Sequence, residues 1–179
     1  LLGLWNEEFT FSPLTELLLE QRIFSSSLLI EEGSYALYDN EELVGVIILK
    51  AGHPKDVEQS EVVFLSLLYV NPKYRHQGLG TKILKEAGEV TFKFKKKYLL
   101  TGCEYDNLFS GVEKNFGTDS FFENLGFIAY DKNYNLITSN RLAETDAKSF
   151  RIAENEKEKD AVLNLIASNF SLRWYYDIK

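Results

Sequence analysis

The chain has 179 residues, 45% of them apolar and 14% aromatic, enough for one full domain core plus a fragment. Against 27 Asp and Glu stand 20 Lys and Arg, and the formal charge of −7 disfavours nucleic acid and acidic substrates while favouring a cationic partner. No secretory signal and no apolar run of membrane-spanning length is present, and a lone Cys103 has no internal disulfide partner, so a reducing, cytoplasmic setting is expected.

Leu4 to Phe9 and Leu14 to Phe24 read as two helices, with Pro13 suited to the first turn of the second. Tyr35 to Tyr38 and Leu43 to Leu49 read as strands of a hairpin turning at Asp39-Asn40-Glu41-Glu42. Residues 52–56 form a polar loop. The nearly continuous apolar run from Val62 to Val70 predicts a strand buried on both faces, stopped by Asn71-Pro72. After Gly80, apolar Ile83, Ala87, Val90 and Phe94 fall on one helical stripe. Tyr98 to Gly102 is a short strand and Thr118 to Leu125 a helix. Ile128 to Tyr130 and Tyr134 to Thr138 are expected to pair as a last hairpin.

Between the central strand and the long helix lies Arg75-His76-Gln77-Gly78-Leu79-Gly80-Thr81, and this junction carries most of the chemical information. A cation, two glycines and a helix start allow several main-chain N–H groups to point at one anion, reinforced by the helix dipole. The anion is not read by a nucleotide P-loop, because Thr81 rather than Lys follows the last glycine. A dinucleotide fingerprint needs a third glycine and fits poorly.

Arg75-His76-Gln77-Gly78-Leu79-Gly80 resembles the acetyl-coenzyme A pyrophosphate loop of the GNAT acyltransferase superfamily, Arg or Gln, two residues, Gly, any residue, then Gly or Ala. Ser120-Phe121-Phe122-Glu123-Asn124-Leu125-Gly126-Phe127 resembles that family's late helix and turn, and Asn115 stands seven residues before Phe122, where the family often has an Asn near the cofactor. The resemblance covers roughly residues 4 to 140. It implies an α/β fold with a mixed, mostly antiparallel sheet flanked by helices, whose central strands, 62–70 and 98–102, splay apart. It implies acetyl-coenzyme A as cosubstrate, bound by Arg75, His76, Gln77, Gly78, Leu79, Gly80 and Thr81, by the backbone near Leu68, Tyr69 and Val70, and by Asn115 and Phe122. No metal is implied, since neither histidine has a second ligand at metal spacing. The four lysines 93, 95, 96 and 97 read as a solvated helix end or as a dock for the coenzyme's outer phosphate.

The resemblance implies direct attack of an amine on a thioester, which needs a base, an oxyanion site and a proton donor. The strand-end amides at 68–70 are its choice for the oxyanion. The donor position, Tyr in many members, is Phe122 here and has no proton to give. Tyr130 and Tyr134 are the hydroxyl candidates, and Glu61 is the carboxylate nearest the central strand. Two functions follow: an N-acyltransferase acting on a small-molecule or protein amine, or an acyl-coenzyme A binding module without turnover. Neither involves nucleic acid or membrane.

Residues 1–140 are expected to form the main domain and 141–179 the start of a second such domain or a C-terminal arm, with a polar seam from Ser139 to Lys148. Phe150 to Ala153 reads as a short strand, Glu156 to Phe170 as a helix, and Ser171 to Tyr176 as the start of another element. Leu4 to Phe9, Pro13 to Leu18 and Phe109 to Val112 resemble a bacterial subgroup with two such domains in tandem. A homodimer and a tandem-domain partner both stay open. The chain holds no Met and begins where the resemblance places the first helix, so a first strand is expected to precede this sequence.

Overall fold

A computed structural model describes residues 1–113, 117–132, 151–170 and 174–175. Contacts divide the chain into two units, Leu1–Ala129 and Tyr130–Lys179. The seam expected near residue 140 lies outside the described residues.

The first unit opens with α1, Leu2–Glu8, and α2, Glu16–Leu19, which runs on into a π-helical turn at Glu20–Phe24. Thr15, not Pro13, caps α2, its side chain accepting from Leu18 N. The later start has a cause: the Asn6 side-chain amide bonds both Leu14 O (2.9 Å) and Leu14 N (2.7 Å), holding this backbone away from helical pairing.

Four strands follow in the spatial order β1-β2-β3-β4. They are β1, Tyr35–Asp39; β2, Glu42–Ala51; β3, Val62–Val70; and β4, Tyr98–Leu100. β1, β2 and β3 pair antiparallel, whereas β3 and β4 run parallel, as a helical crossover through α3, Leu79–Lys93, requires. α4, Thr118–Glu123, completes the regular elements of this unit. The mixed α/β sheet flanked by helices is therefore the architecture the sequence predicts.

Each face of the sheet has its own core. Ile47, Leu49, Val63 and Leu65 pack with Ile83, Leu84 and Ala87 of α3, and with Phe121 and Phe122 of α4. Val46, Leu67 and Tyr69 pack on the opposite face with Trp5 and Leu14, under Leu108 and Phe109. Trp5 anchors this second core, its ring stacked on Phe109 with centroids 5.0 Å apart and its Nε1 donating to Ser12 O. The α3 stripe ends earlier than its spacing predicts. Thr91 is buried through a hydrogen bond to Ala87 O, while Phe94 lies past the helix end and is exposed.

Residues Ile128 to Tyr130 form no strand, and their expected partner, 134–138, lies outside the described residues. In the second unit, Arg151 to Ala153 likewise form no strand. α5, Glu156–Asn169, is capped by Asn155, whose side chain accepts from Glu158 N. Arg151 grips Glu158 through two bonds of 2.7 and 2.6 Å, and with the Glu154 amide it holds the pKa of that carboxyl down to about 2. Of the segment 171–176 only Trp174 and Tyr175 are described. Among the described residues, no helix is long and apolar enough to cross a membrane.

Candidate coenzyme site

Two breaks in β3 build the site. The first is a register shift: Ile48 lies opposite Leu67 but Leu49 opposite Leu65, so Ser66 is an extra residue in the strand. The bulge explains how Val63 and Leu65 face α3 on one side of it while Leu68 and Val70 do so on the other. The second break is the end of the parallel ladder. Pairing with β4 runs Val62↔Tyr98, Val63↔Leu99, Phe64↔Leu100 and stops, leaving the rest of β3 with no strand on that side among the described residues.

What that open edge presents follows from the antiparallel alternation. Asn71 N donates to Val44 O, so hydrogen-bonded pairs with β2 recur at Tyr69 and Leu67. The main-chain groups of Leu68 and Val70 therefore turn toward the open side, and those of Tyr69 toward β2. Arg75 Nε donates to the Val70 carbonyl at 2.8 Å. Of the three strand-end residues predicted to meet a coenzyme, Leu68 and the Val70 amide remain available along that edge.

The strand ends at Asn71, whose side chain caps a short 3-10 turn, Pro72–Tyr74, and bonds Leu43 O. The chain then passes through left-handed backbone at His76 (φ 60°) and Gly78 (φ 79°), an alternation of the kind that lets successive amides converge on an anion. Gly78 is the N-cap of α3 and offers no side chain. The amides of Leu79, Gly80 and Thr81 occupy the first helical turn and have no intrahelical acceptor. Among the described residues no other group bonds them, the first helical bond being Lys82 N to Gly78 O. Three unpaired donors at the positive end of a 15-residue helix suit a diphosphate.

The two glycines have different reasons. Gly78 supplies positive φ, and the space a β-carbon would fill there has no neighbour within 4 Å. Gly80 supplies room, because a Cβ there would stand 3.0 Å from Phe121 Cζ on α4. Phe122, the other aromatic of that block, packs its ring edge-on against Phe121 and Phe127.

Arg75 is placed differently from its neighbours. Its guanidinium makes a bidentate pair with Glu8 at the end of α1, at 2.5 and 2.6 Å, so the loop's cation ties the loop to the first helix. Above the Tyr69 ring it lies 5.9 Å from the centroid. The Tyr69 hydroxyl is buried without a hydrogen bond among the described residues, and desolvation, then Glu8, raises its pKa. Ser66 Oγ is likewise buried and unbonded. Each such hydroxyl costs about 1–3 kcal/mol in an apolar setting.

An open cleft of about 390 Å³ adjoins the loop on the β1–β2 side, lined by Asp39, Tyr74, Gln77, Gly78, Leu79 and Lys82 among others. Of these, Lys82 is not among the residues that the sequence singles out. Lys82 lies one helical turn after Gly78, a spacing that could have flagged it.

Glu61 precedes β3 at the end remote from the loop, pairs with Lys97 at 2.6 Å and is not brought to the open edge. Tyr130 belongs to the second unit and is exposed. Asn115 and Tyr134 lie outside the described residues. Of the lysine run, Lys93 pairs with Glu32, Lys96 donates to Ser60 O and Lys97 pairs with Glu61, which commits three of the four side chains locally.

A sequence model of the acetyltransferase (GNAT) family matches residues 1–127, and the chain belongs to that family. An uncharacterized N-acetyltransferase of Methanocaldococcus jannaschii is 29% identical over 97 residues, 54% of this chain and 39% of that protein. The chain thus spans well under half of this curated relative. Two solved structures share the fold. An Agrobacterium tumefaciens protein assigned as an acetyltransferase has a TM-score of 0.53 at 14% identity, covering 76% of this chain and 90% of its own. An aminoglycoside acetyltransferase from an uncultured soil metagenomic sample, in complex with sisomicin, has a TM-score of 0.51 at 12% identity, covering 78% and 85%.

Proposed function

We propose that the chain is an N-acyltransferase that moves an acetyl group from acetyl-coenzyme A to a primary amine. The carrying observation is the pairing of three acceptor-less amides, Leu79, Gly80 and Thr81, with a β3 edge that β4 leaves open from Leu65 onward. The first suits the diphosphate and the second the amide-bearing arm, so one extended ligand satisfies both. In the reaction the amine nitrogen bonds to the carbonyl carbon, the C–S bond breaks with its electron pair passing to sulfur, and the nitrogen gives up a proton. The main-chain amides at the end of β3 are the donors for the carbonyl oxygen. Glu61, Tyr130 and Tyr134 stay as base and acid candidates; the Lys97 pair argues against Glu61.

The acceptor is read as cationic from the net charge of −7, and polyamines and aminoglycosides are the amines to try first. A protein amine, a second copy of the chain and a tandem-domain partner complete the partner readings, in a cytoplasmic setting. Phe122 favours a second reading, a coenzyme-binding module without turnover, because no hydroxyl stands at the family's usual donor position. Titration calorimetry with acetyl-coenzyme A, followed by coenzyme A release across a panel of amines, decides between them. Binding with release supports transfer; binding without release for every amine supports the module; no binding removes both.

A further inference from the structure

Ser66 is the least explained residue of the central strand. It is 6% exposed, its hydroxyl has no hydrogen-bond partner among the described residues, and it is the inserted residue of the β3 bulge. A serine inside the run Val62 to Val70 interrupts an otherwise apolar strand and leaves its hydroxyl unsatisfied. Position gives the hydroxyl a use. The β3–β4 ladder ends at Phe64↔Leu100, so the bulge lies just where the two strands part. Four residue steps along the strand lead from Ser66 to Val70, about 13 Å. A coenzyme arm lying along the open edge from a diphosphate at residues 79–81 would bring its sulfur to this level.

We infer that the Ser66 hydroxyl is a catalytic group that hydrogen-bonds the coenzyme's sulfur, stabilising the thiolate that leaves when the C–S bond breaks. This rests on the coenzyme reading above. Ser66 keeps its proton throughout: the C–S electron pair ends on sulfur, the hydroxyl donates to it, and solvent protonates the thiolate on release. Such a donor answers the absence of a hydroxyl at Phe122 without requiring a proton transfer from an alcohol far weaker as an acid than a thiol.

The test compares coenzyme A with desulfo-coenzyme A, which lacks the sulfur, by calorimetry at neutral and alkaline pH on the wild-type chain and Ser66→Ala. Ser66→Ala is expected to lose roughly tenfold in affinity for the thiolate form and nothing for desulfo-coenzyme A. Its melting temperature should hold or rise, because an unbonded buried hydroxyl is removed. On the wild type alone, ultraviolet titration should show the bound thiol ionising at lower pH than free coenzyme A. Equal loss for both probes, no loss for either, an unshifted thiol, or a variant that fails to fold overturns the Ser66 role while leaving the coenzyme reading in place. Failure of both probes to bind the wild type overturns both.

Discussion

The two ends of β3 handle their polar groups in opposite ways. At the start of the strand the polar groups are paired: Lys97 N and Tyr98 N both donate to Glu61 O, and Lys96 reaches Ser60 O. Nearby, fully buried Lys50 bonds Asp106 through its carbonyl and its carboxylate, both at 3.0 Å, with Glu104 3.8 Å away. Tyr105 donates to Asp56 and Gln59 to Cys103 O, so residues 103–106 close this end with side-chain bonds. At the finish of the strand, three helix amides and the Leu68 edge have no partner among the described residues. One end is closed by its own side chains, and the other leaves main-chain donors unpaired among the described residues, the feature on which the proposed coenzyme site rests.

Breaking the closed end should have the largest effect. Lys50→Met leaves Glu104 and Asp106 without their cation in a buried setting and should cost about 3–5 kcal/mol, read as a lower urea midpoint at unchanged slope. A loss under about 1 kcal/mol would mean that the cluster is solvated and the contrast false.

At the open end, Gly78→Ala forces a side chain into φ 79° with no steric neighbour, so only backbone strain of about 1–2 kcal/mol is expected. Acetyl-coenzyme A affinity should fall with it. Gly80→Ala makes the useful partner experiment, since it meets Phe121 rather than a forbidden φ, and its cost should shrink when Phe121 is also cut to Ala.

The link between the loop and α1 is smaller. Glu8 and Arg75 are about one-fifth to one-third exposed, so a double-mutant cycle with Glu8→Ala and Arg75→Ala should return a coupling of about 1 kcal/mol, reduced by salt. Zero coupling would show that the loop holds its shape without the helix.

Smallest is a control in the second unit, outside β3 altogether. The Glu158 carboxyl is depressed to about 2, first by Arg151 and then by the Glu154 amide. A depressed carboxyl stabilises above its unfolded pKa and stops doing so as pH falls through the folded one. The contribution therefore disappears between the ordinary value of 4.5 and about 2. Carboxyl NMR titration should find that low midpoint, and Arg151→Ala should move it upward.

Much of the fold is legible from residue order, and the exceptions have physical causes. The apolar run 62–70 and its stop at Asn71-Pro72 predict β3 to the residue, because a strand buried on both faces needs no polar alternation. That same lack of alternation hides the Ser66 bulge, since a register slip leaves no mark in a sequence without period. The glycine loop is legible as an anion site, yet the Arg75–Glu8 pair is not, because its partners are 67 residues apart. The closed end is invisible too. Lys50 stands 56 residues before Asp106 and shares no motif with the Glu104 and Asp106 segment, and only the fold brings them together. Pro13 misleads through its helix-start preference, which the Asn6–Leu14 bonds override.

Everything proposed for this chain depends on a diphosphate site at the start of α3. Titrating the isotope-labelled chain with coenzyme A while following backbone amide resonances probes that site residue by residue. Saturable shifts are predicted, largest at Leu79, Gly80 and Thr81 and extending to Leu68 on β3. Binding that leaves those amides unmoved, or no binding at all, would contradict it.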